Sequence, residues 1–248
     1  MVPDIGVEIF MRSFVLQRVS RANPSATDKA GPPKGKVQHF YAVSIVAFFL
    51  ALFAAPVNAE PVRIVAFGDS LTAGFGLRAE EAFPAQLEAA LKKRGRDVQI
   101  ANAGVSGDTT AGGLARLDWS IPDGTDAVIL ALGANDMLRG MDPEGARKNL
   151  DAMIRRLKAR KIEVLLGGMR AAPNLGAEYA AKFDSIYATL AKEHDILIYP
   201  FFLDGVAGER ELNLNDGIHP TGKGVSLVVG RILPSVESLI ERVKKRRG

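Results

Sequence analysis

The stretch Val65-Ala66-Phe67-Gly68-Asp69-Ser70-Leu71-Thr72-Ala73-Gly74 is an apolar run that breaks into a glycine, an acid and a serine. Val62, Ile64, Val65 and Phe67 have the length and β-branched content of a buried strand, and Gly68 ends it. That reading delivers Ser70 to a sharp turn between a strand and a helix. In open parallel α/β sheets the carboxyl ends of the strands are where ligands and chemistry gather. Ser70 is therefore a candidate nucleophile. Such a serine needs a general base, an acid to orient the base, and donors for an oxyanion.

Three other stretches supply the residue types required. Asn213-Leu214-Asn215-Asp216-Gly217-Ile218-His219-Pro220 places an Asp and a His three residues apart, so both side chains reach from one loop. Ala131-Leu132-Gly133-Ala134-Asn135-Asp136 ends an apolar strand with a side-chain amide. Asn102-Ala103-Gly104-Val105-Ser106-Gly107-Asp108-Thr109 ends another with a glycine that lets an N–H approach a ligand. Each has a plainer reading on its own: a surface loop, a cap on the next turn, a strand-end turn. Asp69 and Asp136 read as structural, since acids in tight turns bond local backbone amides. The sequence is not the Gly-x-Ser-x-Gly elbow, because residue 72 is Thr. Ser106 is the other serine at a strand end and the weaker candidate.

Taken in order, Gly-Asp-Ser-Leu, a glycine after the second strand, Gly-x-Asn-Asp and Asp-x-x-His resemble the four blocks of the SGNH (GDSL) hydrolase family. Ser106-Gly107-Asp108-Thr109 and Asp216-Gly217-Ile218-His219-Pro220 resemble the versions found in its bacterial periplasmic arylesterase, acyl thioesterase and lysophospholipase group. The likeness runs from about Val62 to about Ile232. It implies Ser70 as nucleophile, His219 as base and Asp216 as its orienting acid. It also implies an oxyanion hole of the Ser70 and Gly104 N–H groups with the Asn135 amide. The implied substrates are small acyl esters or thioesters, hydrolysed without a cofactor.

The histidine inventory agrees, because only His39, His194 and His219 exist. His194 lies between Glu193 and Asp195 at a helix end, where an exposed capping role is expected. With so few histidines and no cysteine the usual zinc ligands are missing, so no metal is expected. The absence of cysteine also excludes disulfides and a thiolate nucleophile.

The chain has 248 residues, 47% hydrophobic and 24% charged, in the range of an ordinary globular protein. Residues 1–41 are polar, with Pro and Gly and no sustained period, and are expected to be disordered. From Ala42 to Val57 the sequence is almost wholly apolar, too short for the ~20 residues of a spanning helix, and Val57-Asn58-Ala59 follows. The expectation is a presequence over 1–59 with a secretory signal cleaved after Ala59, then one domain over 60–248. A periplasmic or secreted enzyme with no stable membrane insertion follows; an uncleaved anchor is the alternative. The pI of 9.3 raises the question of nucleic acid. Residues 60–248 carry 26 basic and 25 acidic side chains, however, so no nucleic-acid partner is expected. Arg242, Lys244, Lys245, Arg246 and Arg247 read as a solvated helix terminus whose cations suit the dipole.

After Glu60 the pattern alternates. Strands are expected over 62–67, 98–103, 127–132, 162–168 and 196–199. Helices are expected over 82–94, 110–119, 143–160, 178–193 and 222–245. Strands separated by helices of ten or more residues predict a five-stranded parallel sheet covered on both faces, a three-layer α/β/α sandwich of flavodoxin-like type. The pocket is expected to be lined by residues 71–77, 137–141 and 170–176, whose Leu, Met, Ala and Pro suit an acyl chain better than a sugar. A carbohydrate O-deacetylase on the same machinery is the alternative enzyme. A non-catalytic ligand-binding domain is the alternative outside enzymes, although no Gly-x-Gly-x-x-Gly or P-loop follows the first strand. Oligomeric state and acyl length have no signature in the sequence.

Overall fold

β1 (Val62–Gly68) buries every residue but Arg63 and lies near the centre of the sheet in the computed structural model, which describes residues 60–248. The expected presequence, 1–59 with its apolar core at 42–57, falls outside the described residues. α1 (Ser70–Ala73) follows β1 directly. α2 (Phe83–Lys93), β2 (Val98–Gly104), α3 (Thr110–Ser120) and β3 (Ala127–Ala131) come next. The chain continues through α4 (Ala134–Leu138), α5 (Pro143–Ala159), β4 (Glu163–Gly167), α6 (Ala177–His194), β5 (Leu197–Tyr199) and α7 (Gly222–Arg247).

The five strands are parallel, in the order β2-β1-β3-β4-β5. The doubly wound, three-layer sandwich expected from the alternation is the fold observed. β3 is buried throughout, as a strand covered on both faces must be. α2 and α7 pack together on one face of the sheet, while α3, α5 and α6 pack on the other. In α2 the buried Phe83, Leu87 and Leu91 fall four apart on one stripe. α5 opens with Asp142, whose carboxylate accepts from the Glu144 N–H at 3.1 Å, and with Pro143 in the first turn. Thr221 caps α7 by accepting from the Gly224 N–H at 3.2 Å.

The register sets Gly68 opposite Gly104 on one side and Ala131 on the other, so the carboxyl ends of β1, β2 and β3 are level. Chain direction across the sheet reverses between β1 and β3, and that switch point is where such sheets open a crevice. A Cβ on Gly68 would lie 2.1 Å from Thr72 Oγ1 and 2.6 Å from the Ala131 carbonyl oxygen. Only glycine allows the chain to turn there from strand into α1.

The short helices α1 and α4 lie outside the helix ranges expected from sequence, and their length explains why. One turn is too short to establish a 3.6-residue period. The C-terminal basic cluster also departs from expectation. Arg247 pairs with Asp126, and its guanidinium donates to the backbone oxygens of Glu60 and Pro61. Arg246 lies 3.7 Å from Asp126 and 3.9 Å from Glu163. Arg242 donates to the Asp195 carbonyl at 2.9 Å just before β5, so three of the five cations tie the end of α7 to the amino-terminal edge of the sheet. Among the described residues no helix is long and apolar enough to cross a membrane.

Candidate active site

His219 is delivered by a short turn that is bonded at both ends. The Leu214 N–H donates to the His219 carbonyl at 2.7 Å, and Asn213 bridges Pro220. The buried Asn213 amide donates to the carbonyls of Val206 at 2.6 Å and Glu209 at 2.9 Å, anchoring the turn to the preceding loop. Within it, Asp216 Oδ1 accepts from the N–H groups of Ile218 at 2.9 Å and His219 at 3.0 Å. Oδ2 faces His219 Nδ1 at 2.7 Å. Those backbone N–H groups, with the imidazole after them, hold the Asp216 carboxyl down at about 2.

An ionised Asp216 accepts, so Nδ1 carries the ring hydrogen and Nε2 presents a lone pair. Nε2 lies 2.9 Å from Ser70 Oγ. The Phe75 ring packs against the imidazole at 4.5 Å between centroids. The structure thus brings Ser70, His219 and Asp216 into one hydrogen-bonded line. An imidazole base in contact with a hydroxyl, and itself oriented by a carboxylate, is the arrangement that acyl transfer through a serine needs.

The three residues expected to supply oxyanion donors fare differently. Ser70 opens α1, so its N–H has no intrahelical acceptor, and among the described residues it has no other. Asn135 Nδ2 donates to the Asp108 carbonyl at 2.9 Å. Its contact with Asp69 Oδ2, at 3.4 Å, is too long to be firm. One amide hydrogen is thus fixed, and the other is only loosely held. Gly104 does not fit the expectation. Its N–H donates to Asn102 Oδ1 at 3.0 Å, and a Cβ there would meet the Ala73 nitrogen at 2.3 Å. Glycine is required at 104 by the close passage of α1 over β2, a packing reason.

Three residues on, Gly107 has φ +83, and among the described residues its N–H has no acceptor. By sequence alone the glycine nearest the strand end, Gly104, is the one expected. The available signal was Ser106-Gly107-Asp108 standing just before Thr109, which caps α3.

Buried polar groups hold these loops together. Asp69 has no exposed surface; it accepts from the Leu71 N–H at 3.0 Å, and burial raises its carboxyl to about 6. Asp136 accepts from the N–H and hydroxyl of Thr110 at 2.8 and 2.6 Å. Its bonds therefore reach across to α3, whereas the sequence reading had them local. Arg116 of α3, also buried, donates to the carbonyls of Gly68 at 2.8 Å and Ala103 at 2.9 Å. It pairs with Asp108 as well and lies 4.0 Å over the Phe67 ring. One guanidinium thus joins the ends of β1 and β2 to the loop that Asn135 also touches.

Ser70 and His219 open into a pocket of about 420 Å³. Of the stretches expected to line it, Leu71, Met137, Leu138 and residues 170–173 do, whereas residues 72–77, 139–141 and 174–176 do not. Phe201, Leu203, Ala207 and Gly208 line it too, and these lie in an irregular segment whose sequence has no period to read. Elsewhere, Asp151, Glu193 and His194 could each turn one ligand atom toward a metal. Their carboxylates already face Arg155 and Arg147, so the setting is unfavourable for a cation. The His194 ring is only 12% exposed and bonds Asp151 at 2.6 Å, in place of the exposed cap expected from sequence.

Residues 66–227 match the model of the GDSL-like Lipase/Acylhydrolase family. The chain is 40% identical to an arylesterase of Vibrio mimicus, covering 72% of this chain and 88% of that one. It is 33% identical to the thioesterase 1/protease 1/lysophospholipase L1 of Escherichia coli, covering 77% and 91%. Among solved structures, AlinE4, an SGNH-hydrolase family esterase, superimposes with a TM-score of 0.62 at 48% identity, covering 73% of this chain and 97% of that one.

Proposed function

The chain belongs to the GDSL-like lipase/acylhydrolase family, whose members hydrolyse carboxylic esters and thioesters, and we propose that Ser70, His219 and Asp216 carry that reaction here. The observation that supports the assignment is the line from Asp216 Oδ2 through His219 to Ser70 Oγ, at 2.7 and 2.9 Å, on the wall of the pocket. As Ser70 Oγ attacks the acyl carbonyl, its proton passes to His219 Nε2. The imidazolium so formed is stabilised by Asp216, and Nε2 returns the proton to the departing alcohol or thiol. Water then attacks the acyl-serine with the same base, releasing a carboxylic acid and restoring the hydroxyl.

The developing oxyanion is met by the Ser70 N–H, the looser Asn135 hydrogen and the Gly107 N–H, with Gly107 replacing Gly104 in that role. Donors fixed beforehand are worth roughly 3 kcal/mol of barrier each. The apolar lining of the pocket favours an acyl chain over an acetylated sugar. The secretory presequence over 1–59, and with it a periplasmic or secreted site of action, belongs to the same proposal and rests on the apolar run from Ala42 to Val57.

A phosphonate monoester with a good leaving group captures a nucleophilic serine as a stable tetrahedral adduct. Intact-mass and peptide analysis should find one adduct, on Ser70, formed far more slowly in His219→Ala. An adduct on Ser106, or labelling unaffected by loss of His219, would remove the assignment.

A further inference from the structure

We propose that Arg170 forms an anion-recognising subsite in the catalytic pocket, selecting esters or thioesters that carry a phosphate or carboxylate beyond the scissile bond. The inference rests on the reading of Ser70 as the nucleophile. Apart from His219, Arg170 is the one ionisable side chain lining a pocket otherwise made of apolar and neutral groups, and no acid faces it there. Among the described residues the guanidinium has neither an ion-pair partner nor a hydrogen-bond acceptor. It lies over the face of Phe201, 4.9 Å from the ring centroid.

That arrangement differs from that of the arginines that join segments of the fold. Arg116, Arg246 and Arg247 direct their donors at carboxylates and carbonyls that the fold needs joined. Arg170 lies over the ring of Phe201 with its N–H donors uncommitted among the described residues, and a guanidinium fork suits a phosphate or carboxylate. The side chain is itself exposed at the pocket, so the contact is open to screening by salt.

Position limits where the anion can be. Arg170 follows β4 and Ser70 follows β1, with β3 between them. Two strand spacings place the two backbones roughly 10 Å apart, so the recognised charge lies several bonds from the reacting carbonyl. It belongs either to the far end of the acyl group or to the leaving group.

Matched substrates distinguish these sources while keeping the reacting atoms constant. p-Nitrophenyl valerate against mono-p-nitrophenyl glutarate puts the charge on the acyl side. A butyryl thioester of N-acetylcysteamine against that of coenzyme A puts it on the leaving group. The quantity measured is the ratio of kcat/KM for the anionic member to that for the neutral one, in the wild-type protein and in Arg170→Gln. The expected result is a fall of about tenfold in that ratio in one arm, with salt lowering the wild-type ratio in the same arm. A side chain that merely walls the pocket moves both members together. Ratios unchanged by the substitution in both arms overturn the subsite. Failure of the underlying hydrolase reading looks different, because neutral esters would then survive the wild-type protein or be cleaved equally by Ser70→Ala.

Discussion

One residue before Ser70, Asp69 buries a carboxyl completely, and desolvation raises it from an ordinary 3.8 to about 6. Between those values the folded protein holds a proton that the unfolded chain releases. The stability Asp69 contributes is therefore full below about pH 4 and is lost as pH rises through about 6. Asp69→Asn cannot titrate. Its stability relative to wild type, from urea unfolding, should rise by up to about 3 kcal/mol between pH 4 and pH 6.5; a difference flat with pH would mean that Asp69 does not titrate there. Asp216 has the opposite sign. Its carboxyl is held at about 2, so the orienting charge is present throughout the neutral and mildly acid range and fails only as pH falls toward 2. Removing that charge should be costly for chemistry: Asp216→Asn is expected to lower kcat by ~10³ to 10⁴ with KM little changed. Retention of most activity would exclude the orienting role.

The elements show what the sequence could and could not convey. Every strand and every long helix was legible, because apolar runs of strand length alternate with 3.6-residue stripes such as Phe83, Leu87 and Leu91. Ser70, Asp216 and His219 were legible as a set because each falls at a strand end or in the terminal loop, and the fold then places them within bonding distance. Gly104 and Gly107 could not be ranked, since which of two glycines offers a free N–H depends on φ and on Asn102. The role of Arg116 was equally hidden. It is set by where α3 packs, and its five contacts come from four separate segments. Arg116→Met should lower stability by about 3 to 5 kcal/mol, because Asp108 and two strand-end carbonyls lose their partner in a largely buried setting. A loss under about 1 kcal/mol in denaturant unfolding would show that the clamp is not needed to join β1 to β2.

Across the whole molecule, the two ends of the sheet do separate work. Chemistry is placed at the carboxyl ends of the strands, while the opposite end is closed by Arg246 and Arg247 on Asp126. Arg247→Ala should therefore lower stability by about 1 to 2 kcal/mol, or a few degrees in Tm, without changing kcat/KM; a loss of activity at full stability would contradict that separation. Whether this α/β sandwich hydrolyses esters through Ser70 is decided by the turnover of p-nitrophenyl esters of increasing acyl length, comparing the purified protein with Ser70→Ala. The wild-type protein should cleave them with a preference set by the apolar pocket, and the substitution should lower kcat by ~10³ or more with the fold intact. Ester hydrolysis that persists at the wild-type rate in Ser70→Ala would exclude Ser70 as the nucleophile.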